Sequence, residues 1–239
     1  TKVLSLHTHA LLPPGSMELN ASALIQSTAM AGLGSVHVGT KNMRMAELAL
    51  GEIGRMDIPG VDGFRDYVEA YSFSAAMAFG LIMLGRGGQI DSAADDKIVK
   101  GLTKRIVGEG PSLRASKATA EIDTNVTAPG ATLALGLMYL KTNRQDIADI
   151  LAIPTSPQEL ENLRPDVLLV RTFARALIMW NDVYPTMDWV ERQIPTFISY
   201  KDHQNTSELE QQTELAYLNI VNGACLAMGR SEERTSDLQ

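Results

Sequence analysis

A chain of 239 residues, 45% hydrophobic and 21% charged, carries enough apolar material for a buried core. Its net charge of −7 and the lack of any Lys/Arg run exclude a general nucleic-acid binder. Its apolar stretches break well short of the ~18 residues a membrane span needs, and its lone cysteine, Cys225, points to a reducing compartment.

In chain order, residues 1 to 20 read as an extended lead-in. Val3, Leu4 and Leu6 suit a short strand or packing along the helices after them, and Pro13-Pro14-Gly15 breaks any helix. The start has no basic segment leading into a clean apolar one, so no signal peptide is expected. Periodicity predicts a helix over 21–39 and a second over 42–55, with Met45, Leu48 and Ile53 inward and Gly54 at the end. After a loop at 56–63, a long helix over 64–85 carries Tyr67, Tyr71 and Phe73 ahead of Ser74-Ala75-Ala76. Gly85-Arg86-Gly87-Gly88 makes a turn. The helix over 90–107 then places Ile98, Leu102 and Ile106 four apart. Residues 108–124 are a polar, glycine-containing insert.

The stretch 129–151 is the most regular. Leu133, Leu137 and Leu140 share one helical face, while Ala131, Ala134 and Gly136 leave another almost bare. Lys141-Thr142-Asn143-Arg144 forms the break, and Ile147, Ile150 and Leu151 resume the period. A glycine inside a helix costs about 1 kcal/mol against alanine. Gly136 therefore makes sense if another helix approaches that face closely. A proline-marked connection leads to a helix over 165–180 with Leu168, Thr172 and Leu177 inward. Pro185 and Pro195 bracket its partner around Trp189, Val190 and Ile194. A polar spacer at 200–213 overlaps the start of the last helix, 208–229, and residues 230–239 read as a disordered polar tail or loop.

One pattern recurs through these helices. A small residue is followed by apolar residues and then, five positions on, by a turn residue. The pairs are Gly34 with Gly39, Gly80 with Gly85, Gly136 with Lys141, Ala176 with Asn181, and Ala224 with Gly229. The first members lie about 40 to 56 residues apart, the spacing of helical repeat arrays. The expectation is an all-α solenoid of about five helix pairs forming one domain over 1–229. Neither end supplies the polar face a terminal repeat needs, so the array is expected to continue or to be covered by other segments.

Residues in chemically suggestive patterns are few. His7 and His9 share a strand face but lack a third metal ligand. His37 reads as a core or near-core histidine. Gly32-Leu33-Gly34 with Gly39 has the wrong spacing for a dinucleotide loop, and Gly85–Gly88 lacks the Lys-Ser/Thr of a phosphate loop. Asp95-Asp96 and Glu208 with Glu210 read as solvated helix ends, and Cys225 as a small core residue. Catalytic, cofactor and metal residues are thus expected to be absent. Tyr67, Tyr71, Trp180, Trp189 and Tyr200 suit packing between repeats or a partner surface. Arg171 and Arg175, four apart on one face, suit carboxylate pairing within the array or with a partner.

Several segments resemble a known family. These are LHTHALLPPGSMEL at 6–19, GLGSVHVGTKN at 32–42, AELALGEIGR at 46–55 and YSFSAAMAFGLIMLGRG at 71–87. NVTAPGATLALGLMYLKTN at 125–143 and LLVRTFARALIMWNDVYPT at 168–186 complete the set. They resemble the proteasome/cyclosome repeat, found in two scaffold subunits of the proteasome regulatory particle and in the largest subunit of the anaphase-promoting complex. The detailed similarity is to the last. The resemblance implies an arc of an α-helical toroid and a non-catalytic scaffold of a ubiquitin ligase that marks mitotic regulators. It implies as partners a cullin–RING module, a DOC-domain subunit, tetratricopeptide-repeat subunits and an activator, in nucleus and cytoplasm. A proteasomal scaffold is the alternative. No site residue carries over, because the family motif is one of packing.

Overall fold

The computed structural model describes residues 2–13, 21–58, 61, 63–88, 92–108, 122–198 and 208–229. Among these every regular element is a helix. In chain order they are α1 (Lys2–Leu6), α2 (Ala23–Val36), α3 (Met43–Glu52), α4 (Val68–Ile82), α5 (Ser92–Val107), α6 (Thr124–Met138), α7 (Gln145–Ile150), α8 (Pro157–Glu161), α9 (Pro165–Ile178), α10 (Met187–Glu191) and α11 (Glu208–Met228). Short 3-10 turns at His9–Leu11, Phe64–Tyr67 and Trp180–Asp182 join them. The fold is all-α, built as a series of helix pairs.

The helix starts are written locally. The side chains of Ser22, Asn42, Ser156 and Thr186 accept from the backbone N–H three residues on, at Ile25, Met45, Glu159 and Trp189. Each such cap contributes about 1 kcal/mol. The long helices differ from their partners in pattern. α4 buries Tyr71, Ser72, Ala75, Ala76, Ala78, Phe79, Gly80 and Ile82, which together occupy most of its circumference. A helix apolar nearly all round belongs between neighbours, and α4 has α2 on one side and α6 on the other.

Contacts divide the chain into two compact units, Thr1–Met138 and Tyr139–Gln239. In the first, α2, α4 and α6 pack in succession, α3 lies on α4 and α5 on α6. Phe64 and Tyr71 meet edge to face, ring centres 5.2 Å apart, within its core. In the second, α9 packs on α11, α7 touches α9 and α10 touches α11. One apolar cluster there joins Ala176, Val183, Trp189, Val190, Ala224 and Ala227. Another joins Leu160, Leu168, Ile198, Ala216 and Ile220.

Some boundaries and assignments differ from the sequence reading. Over residues 2–13 the extended lead-in is instead α1 and a 3-10 turn, with Leu4 packed over Gly32 of α2 and Thr8 fully buried, and residues 14–20 lie outside the described residues. The first helix stops at Val36 rather than 39, since Gly39 turns with φ +65°. The helix expected over 64–85 is a 3-10 turn followed by α4, which ends at Ile82. The partner helix around Trp189 is only Met187–Glu191, and Ile194 lies beyond it. Most of the polar insert, Tyr200 and the tail 230–239 lie outside the described residues.

Candidate functional site

An α-helix leaves its last carbonyls without intrahelical donors. Here the turn after one long helix supplies donors to the end of the next. In the first unit Gly39 N–H donates to Leu81 O at 2.9 Å and Lys41 N–H to Ile82 O at 3.1 Å. Gly85 N–H then donates to Leu137 O at 3.0 Å and Gly87 N–H to Met138 O at 2.8 Å. The second unit repeats the arrangement, with Lys141 N–H to Leu177 O and Asn143 N–H to Ile178 O, both at 2.9 Å. The register is constant. Donors lie five and seven residues after Gly34, Gly80 and Gly136, and acceptors lie one and two after Gly80, Gly136 and Ala176.

The geometry requires left-handed backbone. Gly39 and Gly85 have φ +65°, Lys141 has φ +62°, and Lys41 and Asn143 have φ +56° and +53°. Lysine rarely adopts this conformation. Each pair of backbone hydrogen bonds, about 1 kcal/mol apiece, offsets that cost. Side chains reinforce the turns: the Arg86 guanidinium donates to Gly39 O from Nε and Nη2, at 3.3 and 3.0 Å. Lys141 Nζ lies 4.3 Å from the centre of the Trp180 ring. Trp180, a candidate partner residue, is thus half-buried against a turn of its own unit.

Gly34 and Gly80 lie at close approaches. A Cβ on Gly34 would fall 2.9 Å from Ala78 Cβ, and one on Gly80 would fall 3.0 Å from Ala134 Cα. Gly136 is buried in α6. Ala176 and Ala224 lie together in the Trp189 cluster. On α11 the close approach falls at Gly223, where a Cβ would meet Leu169 O at 2.5 Å and Thr172 Cβ at 2.9 Å. Thr172 is four residues before Ala176. Gly130 meets Ala76, four before Gly80, in the same way. By that correspondence Gly229, six after Gly223, stands where Gly136 stands to Gly130, and Ala224 does not occupy the place of Gly34. Gly229 has only carbonyls of its own helix nearby, at 3.8 and 3.9 Å. Cys225 is exposed rather than a core residue.

Among the described residues Arg171 and Arg175 donate to backbone carbonyls and form no carboxylate ion pair. Arg171 Nη1 donates to Ala152 O at 3.1 Å and Arg175 Nη1 to Ala148 O at 3.2 Å, at the end of α7. Burial lowers both guanidinium pKa values, and Asp149 partly opposes this at Arg175. Arg105 plays the same part in the first unit. It donates to Leu50 O at 3.3 Å and Ile53 O at 3.4 Å at the end of α3, and burial lowers its pKa too. Cations suit helix C-termini. A cavity of about 180 Å³ brings together Arg175, Met179, Asp182, Val183, Trp189 and Gln193.

Sequence reasoning missed a buried polar group. Glu52 accepts from Tyr71 Oη at 2.8 Å and from Arg55 Nη2 at 2.7 Å. Tyr71 is fully buried. Burial first, then the Glu52 charge, push its hydroxyl pKa far up, while the hydrogen bond that Arg55 donates to Glu52 raises the guanidinium pKa of Arg55. The available signal was the place of Glu52, three and six residues after the inward Ala49 and Ala46. Asp95 is buried, not solvated, and accepts from Gly88 N–H at 3.1 Å. His9 N–H donates to Gln26 Oε1, and His37 ends α2, half-buried. Among the described residues no three His, Cys, Asp or Glu side chains converge for a metal, and no helix is long and apolar enough to cross a membrane.

The family model described as the APC1 fifth domain matches residues 1–230. The chain is 36% identical to anaphase-promoting complex subunit 1 of Mus musculus over 96% of its length. It is 34% identical to that subunit of Arabidopsis thaliana over 99%, and 35% identical to that of Schizosaccharomyces pombe over 96%. It spans 13%, 15% and 15% of those relatives. The chain belongs to the anaphase-promoting complex subunit 1 family, as a segment matching its fifth domain.

Proposed function

We propose that the chain is a non-catalytic scaffold segment of an anaphase-promoting complex, a cell-cycle ubiquitin ligase. It helps position the catalytic cullin–RING module, the DOC-domain and tetratricopeptide-repeat subunits and the activator, so that mitotic regulators are ubiquitinated. Its contribution to rate is then proximity. The backbone ladder, taken with family membership, carries this reading. The repeats are joined largely by main-chain bonds and small-residue contacts, and repeat arrays of this kind present extended surfaces to several partners. The polar side chains support it as well: half-buried Arg105, Arg171 and Arg175 and the buried Tyr71–Glu52 pair all serve helix ends or packing. Residence in nucleus and cytoplasm follows from that role.

The test is affinity capture of the tagged parent polypeptide from dividing cells, with bound proteins identified by mass spectrometry. A cullin–RING pair with tetratricopeptide-repeat subunits is expected. Recovery of the proteasomal ATPase ring instead would overturn the assignment.

A further inference from the structure

Gly34, Gly80, Gly130 and Gly223 each meet the backbone of an adjacent helix, which leaves no room for a Cβ. Gly51 in α3 and Gly101 in α5 are different. A Cβ on Gly51 would meet nothing within 4 Å, and one on Gly101 would meet only Arg105 Nη1, at 3.6 Å. A glycine inside a helix lowers its stability, and among the described residues no neighbour requires either of these two. They also lie together. The half-buried Arg105 guanidinium donates from Nη1 to Gly101 O at 3.0 Å and from Nη2 to Leu50 O, next to Gly51, at 3.3 Å. Two positions without a side chain thus flank one guanidinium at the seam between α3, which lies on α4, and α5, which lies on α6.

The seam is cationic. Arg105 donates to carbonyls, and burial alone shifts its pKa, downward, with no carboxylate opposing it. Lys97 lies one turn before Gly101 and Lys104 one turn after. At 3.6 residues per turn these two and Lys100 fall within about 60° of the α5 circumference. All three lysines are exposed, and among the described residues Lys97 and Lys100 make no hydrogen bond or ion pair. The opposite side of α5 buries Ile98, Leu102 and Ile106. Asp95 is buried, Asp96 stands at the edge of the lysine face, and on α3 the exposed Arg44 and Glu47 offset one another. A chain of net charge −7 therefore gathers positive charge along this seam. Missing side chains admit a main chain at close range, and the lysines favour carboxylates. Residues 109–121, which follow α5, carry two acids and two bases and so have no net charge to offer.

We propose that the α3–α5 seam docks an extended acidic segment of another polypeptide, its main chain lying over Gly51 and Gly101 and its carboxylates meeting Lys97, Lys100 and Lys104. The proposal rests on the space and charge of the seam and not on the ubiquitin-ligase reading.

The test uses the full-length parent polypeptide in its native assembly, with a photo-crosslinking amino acid in place of Ala93, which is exposed on the lysine face. Mass spectrometry identifies the crosslinked peptide. A segment of a different polypeptide, rich in Asp and Glu, is expected, and a synthetic oligoglutamate peptide should displace it. Lys97→Glu with Lys100→Glu should lower the crosslink about ten-fold or more. Lys97→Gln with Lys100→Gln should lower it less, in the same direction. Gly101→Leu fills the seam without entering the core. It should lower the crosslink about as far, with the yield of folded polypeptide unchanged. A crosslink only to the parent polypeptide, to a segment without acidic excess, or to nothing would overturn the proposal. So would displacement by single-stranded RNA where oligoglutamate has no effect, or a crosslink that Gly101→Leu and both lysine pairs leave intact.

Discussion

Gly34 and Ala78 meet so closely that a Cβ on Gly34 would sit 2.9 Å from the Ala78 Cβ and nearer still to its Cα. The obstacle is backbone, which cannot swing aside as a flexible side chain does. Gly34→Ala should therefore lower stability by about 1–3 kcal/mol through overpacking. Gly51, inside α3, is the control, because a Cβ there would meet nothing within 4 Å. Gly51→Ala should raise stability by about 0.5–1 kcal/mol, from helix propensity alone. Urea unfolding of both variants measures the two signs. A shift in the same direction for both would remove the close-approach explanation.

The Gly39 turn separates conformation from space. Its φ is +65°, and a Cβ there would touch nothing. Gly39→Val should cost about 1–3 kcal/mol, because a β-branched residue is strained in the left-handed region. Gly39→Asn should cost much less, since Asn tolerates that region. Thermal unfolding of the pair reads the difference, and equal losses would mean that bulk, not backbone, matters.

Tyr71 makes stability fall in alkali. Its hydroxyl pKa is raised by burial and by Glu52, whereas an unfolded tyrosine ionises near 10. Below about pH 10 the hydroxyl is protonated in both states, and the full contribution of the buried pair is present. Above it the unfolded chain loses the proton while the folded one keeps it, so stability falls by up to about 1.4 kcal/mol per pH unit. Tyr71→Phe should be less stable at pH 8 by about 1–3 kcal/mol, because Glu52 loses a donor inside the core. Its deficit should shrink between pH 10 and 11. Urea midpoints of both chains across that range check the sign.

Arg105 ties α5 to the end of α3. Arg105→Met keeps the apolar stem and removes the donors to Leu50 O and Ile53 O. A loss of about 1–2 kcal/mol is expected. Arg105→Lys should recover only part of it, because one ammonium group cannot reproduce the planar fork. Full recovery by lysine in urea unfolding would mean that charge alone acts at this helix end.

The sequence disclosed what depends on side-chain size and period. The pairs Gly34 with Gly39 and Gly80 with Gly85 locate the close approaches and the turns between long helices. It did not disclose what depends on partners far along the chain. Lys41 and Asn143 hold left-handed backbone where Ile82 O and Ile178 O accept their amides. Glu52 looks like a surface residue until Tyr71 and Arg55 are placed beside it. Arg171 and Arg175 sit on a face suited to carboxylates, yet the carbonyls of Ala152 and Ala148 lie within reach first. On α11 two small residues compete for one role, and only the contact with Leu169 and Thr172 selects Gly223 over Ala224.

Under the proposed function this chain contributes packing and position, not chemistry. The most direct measurement is the rate of ubiquitin transfer per assembled complex, for the parent polypeptide carrying either Gly80→Leu or the double change His7→Ala with His9→Ala. Gly80→Leu should reduce the yield of assembled complex and leave the rate per complex unchanged. The histidine variant should change neither. A fall in transfer per complex in the histidine variant, with assembly intact, would contradict the proposal.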